Sequence, residues 1–189
     1  MIDARPTTRG LLAWWRGRTT LDRIGPGLWM GGFPRPGGQV LRTIEEVGIQ
    51  HVVTTTFERP HLPPGVTSRY VPFMDLDLPL TMEPLIRAAR DIAERIRAGQ
   101  QVYVHCGHGY DRSGLVVALA LRELHPSLCG GEILELIRAG RGSEALHNRR
   151  FARYIRALTP FADEQTARAS QPGLGFLGHA PALEPARPR

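Results

Sequence analysis

The chain has 189 residues, 42% of them apolar and 22% charged, with a net charge of +6. That is one ordinary domain, long enough to bury roughly 70% of its unfolded-chain surface without staples. Two cysteines exclude a disulfide framework, and no run approaches the ~20 apolar residues of a membrane-spanning helix. All 24 cations are Arg and none is Lys, which points to compositional bias, although a basic excess also suits an anionic partner.

Residues 1–20 form a basic leader. Its apolar run, Leu11 to Trp15, is too short and too late for a secretory signal. Trp14 and Trp15 fit a short amphipathic helix, with packing on the domain favoured over peripheral membrane contact. The reading for the chain is a cytoplasmic protein, and a monomer. Arg23-Ile24 and Leu28-Trp29-Met30 flank the turn signal Gly25-Pro26-Gly27, so a small hairpin is expected. Val40 to Val47 reads as a helix closed by Gly48. The β-branched run His51 to Thr55 and the segment Arg69 to Phe73 read as strands.

The clearest helix follows: Met82, Leu85, Ile86, Ala89, Ile92, Ala93 and Ile96 recur at helical spacing. Thr81 is placed to cap it, Pro84 lies in its first turn and Gly99 ends it. Gln101 to Val104 is a short apolar strand, and Leu115 to Leu124 an almost wholly apolar helix, hence buried. Two further helices are expected near Glu132–Ala139 and Asn148–Leu158. Strands separated by helices imply an α/β fold, a central mostly parallel sheet flanked by helices, over residues 21–160. Residues 161–189, rich in Ala, Pro, Gly and Arg, read as a disordered tail.

Between the last strand and the buried helix lies His105-Cys106-Gly107-His108-Gly109-Tyr110-Asp111-Arg112-Ser113-Gly114. In such folds ligands bind beyond the carboxyl ends of the strands, where this loop sits. A turn from Gly107 through His108, Gly109, Tyr110 and Asp111 to Arg112 can aim successive N–H groups inward as an anion nest, reinforced by the following helix N-terminus. Arg112 offers the planar fork that grips two phosphate oxygens. A nest of this kind also stabilises a thiolate, which marks Cys106 as a nucleophile. Ser113 is suited to bond the sulfur as it leaves. Adjacent strand residues point to opposite sides, so His105 is read as a brace for the loop rather than a base for Cys106. The scheme needs no metal and no cofactor. Cys129 lacks any such setting and reads as buried filler.

Residues 105–114 resemble the signature loop of the cysteine-based protein tyrosine phosphatase superfamily. The frame from about Leu21 to Leu158 resembles its compact dual-specificity branch. The carriers, in order, are Ile24 to Gly31, Gly48 to Val53, an acidic loop and the cysteine loop. The segment from Arg138 through Asn148 to Phe151 is similar to the family's Asn-containing loop beside the site. The resemblance implies a phosphoric monoester hydrolase acting on phosphotyrosine, with phosphoserine and phosphothreonine in a wider range. It implies a general acid about thirty residues before the nucleophile: Asp75 is preferred there, and Asp77 is the alternative.

Two loop residues depart from the dual-specificity pattern. Asp111, just before Arg112, resembles loops of myotubularins and some bacterial phosphatases in which that Asp serves as the acid. It argues mildly against a highly phosphorylated lipid as substrate. His108 is similar to its counterpart in capping-type RNA 5′-triphosphatases, which makes an RNA end the runner-up substrate. Against it, Asp75 and Asp77 offer a general acid those enzymes do without, and the sequence carries no RNA-binding motif beyond scattered Arg. A phosphoinositide phosphatase, a rhodanese-type sulfurtransferase and a phosphate-binding pseudophosphatase complete the alternatives.

Overall fold

In the computed structural model, residues 20–161 are described. The leader with Trp14 and Trp15, and the tail from 162 on, lie outside the described residues. Strands β1 (Leu21–Gly25) and β2 (Leu28–Gly31) form the expected hairpin across Gly25-Pro26-Gly27. β3 (His51–Thr54), β4 (Thr67–Tyr70) and β5 (Val102–His105) complete a five-stranded sheet ordered β1-β2-β5-β3-β4. Only the β1–β2 pairing is antiparallel. The fold is therefore the expected α/β sheet, mostly parallel, with the cysteine loop leaving its central strand.

Five helices cover it: α1 (Gln39–Val47), α2 (Glu83–Arg97), α3 (Arg112–Leu124), α4 (Gly130–Arg141) and α5 (Arg149–Arg156). Alternation along the strands sorts the two faces. Leu28, Met30, Val53, Val102 and Val104 point into the larger core, closed by α2 to α5. Val52 and Tyr103 point to the other side, where Val40 and Ile44 of α1 cover them. Every residue from Ser113 to Leu121 is buried, so α3 runs through the centre of the molecule. No helix among the described residues is long and apolar enough to cross a membrane.

Three local expectations shift. The strand expected at Arg69 to Phe73 begins and ends earlier: Val71 and Phe73 still donate to Thr54 and Thr55 carbonyls, but Pro72 between them has no N–H and the ladder stops. Thr81 does not occupy the N-cap of α2. Met82 does, while the Thr81 hydroxyl accepts weakly from the Glu83 N–H at 3.4 Å. Cys129 is exposed rather than buried, because it is the N-cap residue of α4, its N–H donating to Glu132 Oε2 at 2.8 Å.

Candidate active site

β5 delivers the loop. Its last residue, His105, pairs with Gly31 on one side and Thr54 on the other, so the chain is held until the residue before Cys106. The His105 ring lies on the α1 face, stacked on Tyr103 (5.8 Å) and edge-on to Phe33 (5.4 Å). Its Nε2 meets Thr54 Oγ1 at 3.0 Å, and the Thr55 hydroxyl donates to its carbonyl at 2.8 Å. Burial lowers the imidazole pKa to about 4, partly offset by a bond to the Cys106 backbone. A neutral, fully enclosed ring braces the loop and has no line to the thiol.

Cys106 is 1% exposed, at the bottom of the turn. Its sulfur accepts from the Gly109 N–H at 3.1 Å and lies 3.4 Å from Ser113 Oγ. Those contacts require a tight crossing: Gly109 takes φ +72°, and a Cβ there would collide with the Gly31 backbone. Glycine is thus demanded by angle and by space together. Gly114 is demanded by space alone, because its Cβ would stand 2.9 Å from Leu146. Leu146 is itself the one described non-glycine residue with positive φ. It fills the gap under α3, and its N–H donates to the Tyr110 carbonyl. Tyr110 is half-buried against the core rather than standing at the rim.

Arg112 opens α3 and reaches back over the loop, 3.5 Å from Asp75 Oδ2 and donating to the Phe73 carbonyl at 3.4 Å. Asp75 is therefore beside the nest. Asp77 is turned elsewhere: it pairs with Arg150 on α5, with both side chains more than half exposed, and accepts from the Leu78 N–H. An ion pair so exposed adds little to stability. Asp111 is half-buried and accepts from the Asn148 N–H at 2.6 Å, while Asn148 Nδ2 reaches the Asp75 carbonyl at 3.5 Å. Burial raises the Asp111 carboxyl above its ordinary range, the Asn148 bond offsets part of that, and the neighbouring Asp75 charge adds to it. The structure thus joins Cys106, Ser113, Arg112, Asp75, Asp111 and Asn148 around one turn. Gly107 and His108 belong to the same turn, and Asp77 stands outside it.

Sequence reasoning missed Arg141. It lies at the end of α4, 1% exposed, the largest buried side chain among the described residues. Nε donates to the Gly109 carbonyl at 2.8 Å and an Nη to the His108 carbonyl at 3.1 Å. The other Nη bonds Thr20 Oγ1 and the Asp22 carboxylate, and the guanidinium lies 5.0 Å above the Tyr110 ring. Tying two loop carbonyls outward leaves the N–H groups of the turn to face inward. An Arg in the last turn of a helix looks like a dipole partner or surface cation, and nothing local marks it as buried. Arg141→Met should cost about 3–5 kcal/mol by stranding Asp22, measured by chemical denaturation. Arg141→Lys keeps the charge but not the fork, and is expected to lower kcat/KM by about 10²-fold through loop misplacement. The pH–rate profile of the Lys variant should shift as well, which a purely structural role would not cause.

A family model described as "Swiss Army Knife protein, DSP-PTPase phosphatase domain" matches residues 24–168. No significant match appears among curated proteins. Similar solved structures include human DUSP28, 20% identical over 78% of this chain and 95% of that one, with a TM-score of 0.60. DUSP15 is 21% identical over 80% and 94%, with a TM-score of 0.64. PTPMT1 in complex with PI(5)P is 24% identical over 79% and 99%, also at 0.64. At these identities the likeness concerns the fold.

Proposed function

The chain belongs to the dual-specificity phosphatase family, and from that premise we propose that it hydrolyses phosphomonoesters, phosphotyrosine foremost, through a cysteinyl-phosphate intermediate. The observation that carries this reading is the contact set on one sulfur: the Gly109 N–H at 3.1 Å and Ser113 Oγ at 3.4 Å, with Arg112 over the same turn. In the first step the Cys106 thiolate attacks phosphorus, an S–P bond forms and the ester P–O bond breaks. The departing oxygen takes a proton from a carboxylic acid, Asp75 in this reading, whose place 3.5 Å from Arg112 Nε puts it at the mouth of the nest. In the second step water attacks phosphorus, returns a proton to the carboxylate, and the S–P bond breaks. Ser113 donates to the departing sulfur. The loop N–H groups and Arg112 hold the equatorial oxygens throughout.

Arg112 and Asp75 face each other before substrate arrives, so binding a phosphate dianion exchanges one anion for another on the guanidinium and frees the carboxyl for the leaving oxygen. The test is a panel of phosphotyrosyl and phosphoseryl peptides, a phosphoinositide and RNA 5′-triphosphate, each assayed in excess chelator. The phosphotyrosyl peptide is expected to have the highest kcat/KM, unchanged by chelator. A higher value for RNA 5′-triphosphate or the phosphoinositide would overturn the substrate assignment. Tight binding of a phosphate analogue with no turnover of any member would identify a pseudophosphatase.

A further inference from the structure

Beside the candidate active site a cavity of about 680 Å³ opens between the end of α4 and α5, lined by Arg138, Glu144, His147, Arg149, Arg153 and Arg156 among others. Four guanidiniums meet there with one carboxylate. That carboxylate, Glu144, lies 3.9 Å from His147. Arg138 donates to the Ala145 carbonyl at 3.2 Å, and none of the four arginines has a carboxylate within 4 Å among the described residues. Elsewhere among the described residues Arg69, Arg87, Arg90, Arg95, Arg112, Arg141 and Arg150 each sit against one, while Arg23, Arg35, Arg42, Arg59 and Arg97 do not, so it is the convergence of the four that sets them apart.

The helix itself is worse for this arrangement. Arg149, Arg153 and Arg156 recur at i, i+4 and i+7, on the side away from buried Phe151 and Ile155. Like charges at that spacing repel. Arg149 also stands in the first turn, where the helix dipole disfavours a cation, whereas Arg153 and Arg156 stand in the last turn, where it favours one. Scattered surface arginines would need no explanation, but four converging on one concavity with no carboxylate partner among the described residues do. An anion filling the cavity would offset the mutual repulsion of these arginines.

We propose that this cavity is a second anion site, separate from the cysteine nest, for a compact group carrying several phosphates. Planar guanidinium forks match phosphate oxygens. No Phe, Tyr or Trp lines the cavity, and His147 is its one aromatic ring, so it offers little of the stacking surface that single-stranded nucleic acid uses. Its volume suits a small molecule or headgroup rather than an extended chain. The group is a phosphorylated ring, either soluble or at the head of a lipid. His147 and Arg149 flank Asn148, which holds Asp111 and touches Asp75, so occupancy bears directly on the catalytic loops. The site stands whether or not the nest turns over substrate.

Calorimetric titration of the full chain with inositol hexakisphosphate tests it. Converting Arg149, Arg153 and Arg156 together to Gln, which matches Arg in helix propensity, should weaken binding by at least about 30-fold, since it removes three sets of charge-assisted bonds. Circular dichroism and the melting temperature verify that α5 survives. Arg112→Ala, which disables the nest, should leave binding within about threefold of wild type, the small change expected when the charged groups of the two sites are different residues. Vesicles carrying phosphatidylinositol bisphosphate form a second arm. Binding of the soluble probe assigns a free ligand, and binding to vesicles alone assigns a lipid headgroup. The proposal is overturned if neither binds, if the triple variant binds like wild type, if affinity follows Arg112 instead, or if only an oligonucleotide engages the arginines.

Discussion

Cys106→Ser should eliminate aryl phosphate turnover, with kcat falling on the order of 10⁴-fold or more. The substitution changes one atom in a site that is already fully enclosed, so the Gly109 N–H, Ser113 and Arg112 stay where they are. On the proposed mechanism what disappears is the sulfur nucleophile: a serine hydroxyl is weak at neutral pH without an adjacent base. His105 cannot serve as that base, since its ring lies on the far face of the sheet against Tyr103 and Thr54. Binding of tungstate or vanadate should persist in the same variant, because the nest and Arg112 are intact. Steady-state kinetics and a phosphate-analogue titration on one preparation decide the matter. Retention of kcat within tenfold would place the nucleophile elsewhere.

The second large effect concerns the proton. Asp75→Asn should lower kcat by about 10²–10³-fold for an alkyl phosphate and by far less for a nitrophenyl phosphate, whose leaving group needs no proton. Asp77→Asn should change either rate by no more than about twofold, since that carboxylate is spent on an exposed pair with Arg150. Asp111→Asn distinguishes the competing assignment. The Asp111 carboxyl is raised by burial, so it stays protonated to higher pH than a free aspartate. If it rather than Asp75 supplied the proton, its Asn variant would show the larger loss with the alkyl phosphate, and the alkaline limb of the pH–rate profile would vanish with it. Stability gives an independent sign. A raised folded-state pKa means the carboxyl's contribution is complete below the unfolded value and is lost as pH rises through the folded one. Wild type should therefore gain stability relative to Asp111→Asn as pH falls from 7 to 4, read from paired thermal melts.

Much of the fold was readable in the chain because its signals are local. The helix periodicity from Met82 to Ile96, the β-branched run at His51 and the Gly-Pro-Gly turn each depend on neighbours within a few positions. The strand boundary near Val71 was misplaced for an equally local reason that is easy to overlook, the missing N–H of Pro72. Cys129 was misread because N-cap geometry is invisible in composition.

The candidate site divides along the same line. The sequence by itself determined the nest: ten consecutive residues carry the thiol, the glycines, the arginine and the serine, and contiguity fixes their mutual distances. It also indicates that His105 faces away from Cys106, because successive side chains alternate along the extended backbone of a strand. The three candidate acids are told apart only by folding, since Asp75, Asp77 and Asp111 look alike until one meets Arg112, one meets Arg150 and one is enclosed beside Asn148. Only it revealed Arg141, whose role comes from two carbonyls more than thirty positions away, and the arginine-lined cavity, whose charges converge only once α4 packs on α5. Contacts made by neighbours can be read from order along the chain; contacts made by folding cannot, because the packing that brings such residues together is a sum over the whole core.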